Sequence, residues 1–214
     1  MLGFLGGTGE EGRGLSLRLC LAGERVMIGS RDSSKAEETV NGMAKKFGLS
    51  GIYSGSNENV ARTADVIFIT VPYAGQRGLL ETVGGNLAGK IVVDTVAPLA
   101  VHDGRFYTQA VEEGSASLEA RSLLPKSEIV AAFQNVSAKD LLAFPADVHG
   151  DVVICGDSSD AKKVVDELVI KIPDLRPIDG GSLENSSYVE GITALLLNIN
   201  KRYKAHSSIK IVGL

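Results

Sequence analysis

The sequence has few of the residues that disulfide-bonded or metal-binding proteins need. It contains two cysteines and three histidines in 214 residues. Cys20 and Cys155 lie far apart within apolar stretches, which predicts buried, reduced thiols rather than a disulfide or a redox pair. His102, His149 and His206 are isolated from one another along the chain. Because no cluster shows metal-ligand spacing, we predict no metal site.

Long runs of one charge or of apolar residues are also missing. The 22 Lys and Arg stand against 26 Asp and Glu, which gives a net charge of −4. Nucleic acid is not an expected partner, since no dense basic run is present. No apolar run approaches the ~20 residues that cross a bilayer. The first residues, MLGFLGGTGEEG, lack the charged start and apolar centre of a secretory signal. We therefore expect a soluble, cytoplasmic protein without a membrane partner.

Short apolar runs alternate with longer helical patterns along most of the chain. This alternation is typical of an α/β fold with a parallel sheet and crossover helices. The predicted strands lie at residues 1–5, 25–29, 64–71, 90–94 and 128–133. The predicted helices run from the first glycines to Ala22, from Ser34 to about Phe47, over 74–87 and near 116–123. The rest of 97–126 is weakly patterned, and we interpret it as loop.

The pattern changes beyond Phe133, and we predict a smaller C-terminal α/β domain over residues 137–214 that completes the substrate pocket. Its predicted elements are a helix starting at Ser137, a strand at 151–155, a helix at 158–172, an extended piece at 176–179 and a last helix. Ser187 and Glu190 have the spacing of a capping box at the start of this last helix. Ala194 and Leu197 widen its apolar side beyond one stripe, so the helix is either deeply buried or shared with a second subunit. We expect a homodimer through it.

A glycine-rich turn follows the first strand and opens a helix. It reads Gly7-Thr8-Gly9-Glu10-Glu11-Gly12 within a unit of ~30 residues, which is the context of a dinucleotide fingerprint. We expect Gly7 to permit the tight turn, Gly9 to let the backbone approach a pyrophosphate, and Gly12 to allow close helix packing. A purely structural turn is the alternative. The pattern predicts a Rossmann-type nucleotide-binding domain over residues 1–136.

The residues after the second strand indicate which dinucleotide is bound. An NAD site usually has an acidic residue there to accept the ribose hydroxyls. Here the strand ends in Ser30 and Arg31, with Lys35 one helical turn further along and Asp32 expected to point away. An arginine fork and a lysine suit a 2′-phosphate. We therefore predict NADP(H), with solvated surface cations as the alternative interpretation.

The segment GGTGEEGRGLSLRLCLAGERVMIGSR resembles the F420-dependent NADP oxidoreductases, enzymes that pass a hydride between NADP(H) and the deazaflavin coenzyme F420. The likeness continues through ITVPY (69–73), GKIVVD (89–94), VAAFQNVSA (130–138), CGDSSDAKKVV (155–165) and LRPIDGGSLENSSYVEGITALLLNI (175–199). The last segment is the most specific, because a generic nucleotide-binding fold has no reason to carry it. The resemblance covers essentially the whole chain.

The resemblance implies a set of cofactor contacts at the glycine turn, at the 2′-phosphate and near the nicotinamide. We add the glycines of the turn and Val71, which should exclude water from the site. The predicted cofactor-binding residues are then Gly7, Thr8, Gly9, Glu10, Glu11, Gly12, Ser30, Arg31, Lys35, Val71, Tyr73, Arg77, Leu99 and Ala138. Hydride transfer between two carriers needs no protein nucleophile, so no catalytic residue is predicted.

The deazaflavin is expected against the loop after the strand that ends at Phe133. Archaeal members read like HTIPA there, whereas this chain has Gln134, Asn135, Val136 and then Ser137 and Ala138. The histidine is missing. Gln134 can still hydrogen-bond a ring carbonyl and Val136 can supply an apolar wall, so Gln134, Asn135 and Val136 are the predicted substrate contacts.

Other readings of the same residues stay open. The loop amides could serve another acceptor or cap the following helix. The alternatives to hydride transfer to F420 are an NADPH-dependent reductase of a flavin or metal chelate, and a non-catalytic NADP(H) sensor.

Overall fold

A computed structural model describes all residues, 1–214. The strands are β1 (Leu2–Leu5), β2 (Val26–Ser30), β3 (Ile52–Ser56), β4 (Val66–Ile69), β5 (Ile91–Asp94), β6 (Leu99–His102), β7 (Arg105–Thr108), β8 (Glu128–Ala131), β9 (Gly150–Gly156) and β10 (Leu175–Asp179). The helices are α1 (Glu10–Leu21), α2 (Ser33–Phe47), α3 (Asn57–Thr63), α4 (Tyr73–Val83), α5 (Ala116–Leu123), α6 (Ala138–Leu142), α7 (Ser159–Ile170) and α8 (Ser186–Tyr203).

Eight strands form one sheet in the order β10-β9-β8-β5-β4-β1-β2-β3. All neighbouring pairs are parallel except β8 with β9. The predicted α/β class with a Rossmann-type sheet is confirmed. The chain leaves β1 toward β2 on one side, and then returns to β4 on the other. In open sheets of this kind a ligand crevice forms at this reversal, outside the carboxyl ends of the strands.

Two predicted helix starts are wrong. The Asp32 side chain, not a Ser34 capping box, begins α2, because it accepts hydrogen bonds from the amides of Ser34 at 3.0 Å and Lys35 at 3.5 Å. The last helix begins at Ser186 without a side-chain cap. Glu190 does not reach back to cap it, since its carboxylate accepts from the amide of Ala116 at 2.8 Å and thereby caps α5.

The sequence analysis missed the edge strand β3 and the hairpin formed by β6 and β7. The strand β3 pairs only with β2, and its residues are mostly half-exposed, so it lacks a continuous apolar run. The strands β6 and β7 form a separate antiparallel pair within the stretch interpreted as loop. This hairpin is held to α8 by Asn198, whose side chain bonds both the amide of Phe106 at 3.0 Å and its carbonyl at 2.8 Å.

The C-terminal residues continue the main sheet. The strand β9 joins β8, and Val152 and Ile154 share a buried cluster with Leu2 and Phe4 of the N-terminal half. The predicted division after residue 136 stays a prediction.

The structure also describes the cysteines, the lengths of the helices and one acidic surface cluster. Both cysteines are buried and unpaired. No helix is long and apolar enough to span a membrane. The fold also brings Asp174 beside Asp147 and His149 at the surface, with ligand atoms of the three residues within 4.8 Å of one another.

Candidate functional site

A cleft of about 720 Å³ runs along the carboxyl ends of the strands around β1, β4, β5 and β8. The glycine turn and the start of α1 form one wall, which we call the glycine wall. Loop 133–138 and the end of α8 form the opposite wall, which we call the helical wall. Most predicted site residues line the cleft: Gly9, Glu10, Glu11, Val71, Tyr73, Leu99, Gln134, Asn135, Val136 and Ala138. The others lie outside its lining: Gly7, Thr8, Gly12, Ser30, Arg31, Lys35 and Arg77.

The tight turn depends on a different glycine from the one predicted. Gly6, not Gly7, has the left-handed conformation, with φ +68°, and a Cβ there would lie 2.2 Å from Val71. Gly7 is needed for packing, because a Cβ would meet Phe4 at 2.8 Å. Gly12 performs the predicted role: a Cβ would lie 2.5 Å from the Cα of Gly7, so only glycine lets α1 approach the turn this closely.

Gly9 differs from these neighbours because the protein itself does not crowd it. A Cβ there would come no closer than 4.0 Å to any other protein atom. Gly9 is also the N-cap of α1, and no side chain caps this helix. The first amides of α1 are therefore free to bind an anion at the positive end of the helix dipole. An open glycine beside uncapped amides fits the close approach of a pyrophosphate.

Three polar residues that the sequence analysis missed hold the strand ends in place. The Asn57 side chain accepts a hydrogen bond from the Gly6 amide at 3.0 Å. The hydroxyls of Thr70 and Thr95 donate to the carbonyls of Leu5 at 2.9 Å and Ile69 at 2.8 Å. All three are buried. Only a threonine directly after each apolar strand could have drawn attention to the last two.

The residues predicted for the 2′-phosphate lie at the end of β2, on the other side of β1 from the cleft. Ser30 is buried, and its hydroxyl accepts from the Asp32 amide at 3.2 Å. Arg31 and Lys35 are exposed. The Asp32 carboxylate binds amides at the start of α2. Arg31 and Lys35 leave two positive charges facing solvent at the end of β2.

Tyr73 and Arg77, both predicted cofactor contacts, have different surroundings. Tyr73 lines the cleft, and burial together with a hydrogen bond to Glu119 raises its pKa to about 12. It is therefore a neutral hydrogen-bonding group near pH 7. The Arg77 guanidinium forms ion pairs with Glu113 at 2.9 Å and Glu119 at 2.9 Å. These pairs occupy its charge, and its predicted cofactor contact stays a prediction.

Loop 133–138 begins with a strained residue. Phe133 is completely buried and has φ +74°, a left-handed conformation that is rare for a bulky side chain. The next two side chains fasten the loop: the amide nitrogen of Gln134 donates to the Asp94 carbonyl at 2.8 Å, and that of Asn135 to the Asp151 carbonyl at 2.7 Å. Ser137 then caps α6, as predicted. The two amide groups thus hold the loop in place.

The end of α8 contributes lining residues that the sequence analysis did not name as site residues. The added lining residues are Thr193, Leu196, Leu197, Asn200, Lys201, Lys204, Ala205, His206 and Ser207. Thr193 also donates to the Gln134 carbonyl at 2.9 Å, which ties α8 to the loop. The wide apolar side of the helix was the available signal, and Leu196 and Leu197 show that part of this width faces the cleft.

The first turn of α1 carries a carboxyl group in an unusual environment. Glu11 lines the cleft, and one of its carboxylate oxygens is buried without a hydrogen-bond partner. Burial raises its pKa to about 8. A carboxyl group in this state is neutral at pH 7 and can donate a hydrogen bond.

Comparison with known proteins gives a consistent family. The family described as "NADP oxidoreductase coenzyme F420-dependent" matches residues 1–98. The F420-dependent NADP reductase of Methanothermobacter marburgensis is 37% identical over 221 residues, covering all of this chain and 98% of that protein. The enzyme of the same name from Methanocaldococcus jannaschii is 36% identical, again over all of this chain and 98% of that protein.

Further matches come from sequence and from structure. The metalloreductase STEAP3 of Rattus norvegicus is 30% identical over 89% of this chain, but the match covers only 36% of that protein. A solved Arthrobacter structure has a TM-score of 0.84 at 20% identity, covering 98% of this chain and 97% of that one. At that identity the structural likeness supports the fold alone. The full-length relatives decide the assignment: this chain belongs to the family of F420-dependent NADP oxidoreductases.

Proposed function

We propose that the protein is an oxidoreductase that transfers a hydride directly between NADP(H) and the deazaflavin coenzyme F420. This proposal rests on the full-length match to F420-dependent NADP reductases. The cleft with two walls at the expected nucleotide crevice supports it. When bound, the two cofactors supply the hydride donor and acceptor. The chain supplies orientation and a largely water-free surface. The high pKa of Tyr73 fits this role, because that side chain does not exchange protons near pH 7.

The glycine wall is proposed to hold NADP(H). The uncapped amides at Glu10 and Glu11 would bind the pyrophosphate, with Thr8 and the open Gly9 beside them. Ser30, Arg31 and Lys35 would bind the 2′-phosphate, for which exposed cations and a hydroxyl are suitable ligands.

The nicotinamide end is proposed to lie between the strand ends and the loop. Val71, Tyr73, Leu99 and Ala138 line this part of the cleft and would exclude water from the ring. Arg77 is proposed to act at this end too, through its pair with Glu119, which in turn bonds Tyr73.

The helical wall is proposed to hold the deazaflavin. Val136 offers an apolar surface, and the side-chain amide oxygens of Gln134 and Asn135 offer buried acceptors. Both oxygens lack a partner within the chain. A flavin or metal-chelate reductase and an NADP(H) sensor are the alternatives that an experiment separates.

The direct test is spectroscopic. Mixing the protein with NADPH and F420 should bleach the visible absorbance of the deazaflavin as the hydride is transferred. A parallel reaction with a flavin and a ferric chelate addresses the reductase alternative. If NADPH binds but no acceptor is reduced, the sensor remains and the proposed activity is wrong.

The cofactor preference has its own test at Arg31. The Arg31→Ala variant should lose about tenfold or more in affinity for NADPH, because a charge-assisted fork to the phosphate is removed. Its affinity for NADH should change little, since NADH lacks that phosphate. An equal loss for both nucleotides would show that Arg31 does not bind the 2′-phosphate.

We also propose that the protein is a homodimer. Large side chains are exposed on α8 and on the hairpin packed against it: Tyr188 is 77% exposed, Leu195 57%, Val101 64% and Tyr107 45%. Large apolar side chains exposed on adjoining elements favour a protein interface. Sedimentation equilibrium should give a dimer mass, and Leu195→Glu should give a monomer.

The location and the remaining partners are inferred from composition. Two buried, unpaired thiols and a net charge of −4 favour a cytoplasmic protein that acts on small molecules without binding nucleic acid. A gel-shift assay with duplex DNA and with RNA should give no complex at physiological salt.

A further inference from the structure

Glu11 has an unsatisfied group pointing at a ligand site. It lies in the first turn of α1, two residues after the open N-cap Gly9, and it lines the cleft. Its oxygen Oε1 is buried with no hydrogen-bond partner. Buried polar atoms in native proteins are nearly always paired, so an orphan in a cleft indicates a partner that the bound ligand supplies.

The topology indicates which part of a dinucleotide Glu11 would meet. The proposed 2′-phosphate residues, Ser30 and Arg31, follow β2 on one side of β1. Glu11 shares its cleft instead with residues 70–73 after β4, 95–99 after β5 and 133–138 after β8, all on the other side. A dinucleotide bound across the reversal at β1 has its adenosine on the first side and its nicotinamide on the second. Glu11 therefore faces the nicotinamide half.

The other charged and titratable groups lining the cleft lie on four elements. They are Glu10 on α1, Tyr73 on α4, Lys139 on α6, and Lys201, Lys204 and His206 at the end of α8. Three of them have partners: Tyr73 bonds Glu119, His206 binds Asp140 at 2.6 Å and Lys201 binds the Gly104 carbonyl at 2.5 Å. Burial alone determines the raised pKa of Glu11, with no charged neighbour among its causes. The ligand charge common to both nucleotides is the pyrophosphate proposed at the start of α1, and the charge that differs between them is that of the nicotinamide ring.

We propose that Glu11 couples proton binding to the redox state of the nicotinamide: it stays protonated beside NADPH and ionises beside NADP⁺. The oxidised ring carries a positive charge, and the reduced ring is neutral. An opposite charge nearby favours the ionised form of a carboxyl group. Binding of NADP⁺ therefore releases a proton, since protein–COOH plus NADP⁺ gives protein–COO⁻·NADP⁺ plus H⁺. NADPH binds without that release. This proposal rests on the NADP(H) site assigned above.

The test measures the dissociation constants of both nucleotides between pH 6 and pH 9, without F420. In the wild type the ratio Kd(NADP⁺)/Kd(NADPH) should fall with rising pH, by up to about tenfold per pH unit between the pKa of Glu11 in the NADP⁺ complex and its higher pKa in the NADPH complex, and should be level outside that interval. The 2′-phosphate also titrates, near pH 6, but it is common to both nucleotides and cancels in the ratio.

Two variants separate Glu11 from its surroundings. Glu11→Gln keeps the shape and the hydrogen-bonding capacity without titrating, so its ratio should change much less with pH. Glu58→Gln removes an exposed carboxylate from the first turn of α3, outside the cleft, and should keep the wild-type fall. Calorimetry in buffers of different ionisation enthalpy should show more proton release on NADP⁺ binding for the wild type than for Glu11→Gln.

The possible failures point to different conclusions. If the wild type binds both nucleotides with a ratio that does not vary with pH, or if Glu11→Gln keeps the full wild-type fall, the coupling is wrong and the NADP(H) site stands. If neither nucleotide binds, the NADP(H) site itself is wrong, and the coupling is overturned with it.

Discussion

The glycine wall and the helical wall of the cleft are built from different kinds of contact. The glycine wall is made of backbone that is contiguous in sequence, and its shape follows from glycines that allow close approach, as at Gly12. The helical wall is made of side chains from distant segments, such as Asn135 bound to the Asp151 carbonyl and Thr193 bound to the Gln134 carbonyl. One wall is determined locally, and the other by tertiary packing.

This difference has a functional counterpart. The amides of a helix start suit the phosphate groups that all dinucleotides share. The second ligand requires a surface of particular shape, which side chains from several elements supply. We therefore expect substitutions in the glycine wall to affect NADPH binding, and those in the helical wall to affect chiefly the deazaflavin. The predictions below test that separation.

The largest effect is expected at Gly12. Gly12→Ala places a Cβ 2.5 Å from the Gly7 Cα, where backbone cannot yield easily. We expect a loss of about 3 kcal/mol or more in the free energy of unfolding, measured by urea denaturation.

Gly9→Ala is the matched comparison, because its Cβ has 4.0 Å of room within the protein. It should cost under about 1 kcal/mol of stability, yet weaken NADPH about tenfold or more if the phosphate approaches Gly9 closely. Equal destabilisation by both substitutions would contradict the distinction between a packing glycine and a ligand glycine.

These two glycines also indicate how far the sequence could predict the site. The turn and its neighbouring strands are local, so their pattern is visible without a structure. The choice of Gly6 over Gly7 for the left-handed position was missed, because several glycines in a row satisfy the same pattern. The contacts of Asn57, Thr193 and Glu190 join residues 51 to 74 positions apart, and no local spacing predicts such pairs. The fold class was predictable, but much of the helical wall was not.

Arg18 ties the C-terminal half of α1 to α6 and the segment after it. It is buried in α1, and its guanidinium donates to the carbonyls of Leu141 at 2.7 Å, Asp140 at 2.9 Å and Ala146 at 2.6 Å. Arg18→Met leaves these carbonyls without their donors and should cost about 2–3 kcal/mol in unfolding free energy.

The same variant should raise the KM for F420 more than the Kd for NADPH, because α6 contributes Ala138 and Lys139 to the helical side of the cleft. Arg25→Met, an exposed arginine, serves as the control. A larger effect on NADPH than on F420 would mean that the walls do not act separately.

The amide anchor of Asn135 should give a smaller, more local effect. Asn135→Ala removes the donor to the Asp151 carbonyl in a buried site and should cost about 1–2 kcal/mol. Because the loop is then less firmly held, the KM for F420 should rise several-fold while the Kd for NADPH stays within about twofold. The exposed amide Gln109 provides the control, Gln109→Ala. Unchanged F420 kinetics would remove the loop from the deazaflavin site.

The smallest effect concerns stability at Glu11. Its pKa is raised from 4.5 to about 8 in the folded chain, so between these values the folded protein holds a proton that the unfolded chain has released. The stability gained from that proton is present below pH 4.5 and is lost as the pH rises through 8.

Glu11→Gln has no such dependence. The variant should thus match the wild type near pH 4.5 and be more stable by about 1 kcal/mol at pH 8, a figure discounted for partial exposure. Thermal unfolding at both pH values, with Glu10→Gln alongside, measures the difference. If Glu11→Gln is more stable than the wild type by the same amount at both pH values, the Glu11 carboxyl is ionised throughout. The amides of the glycine wall then stabilise the carboxylate as they would stabilise a phosphate.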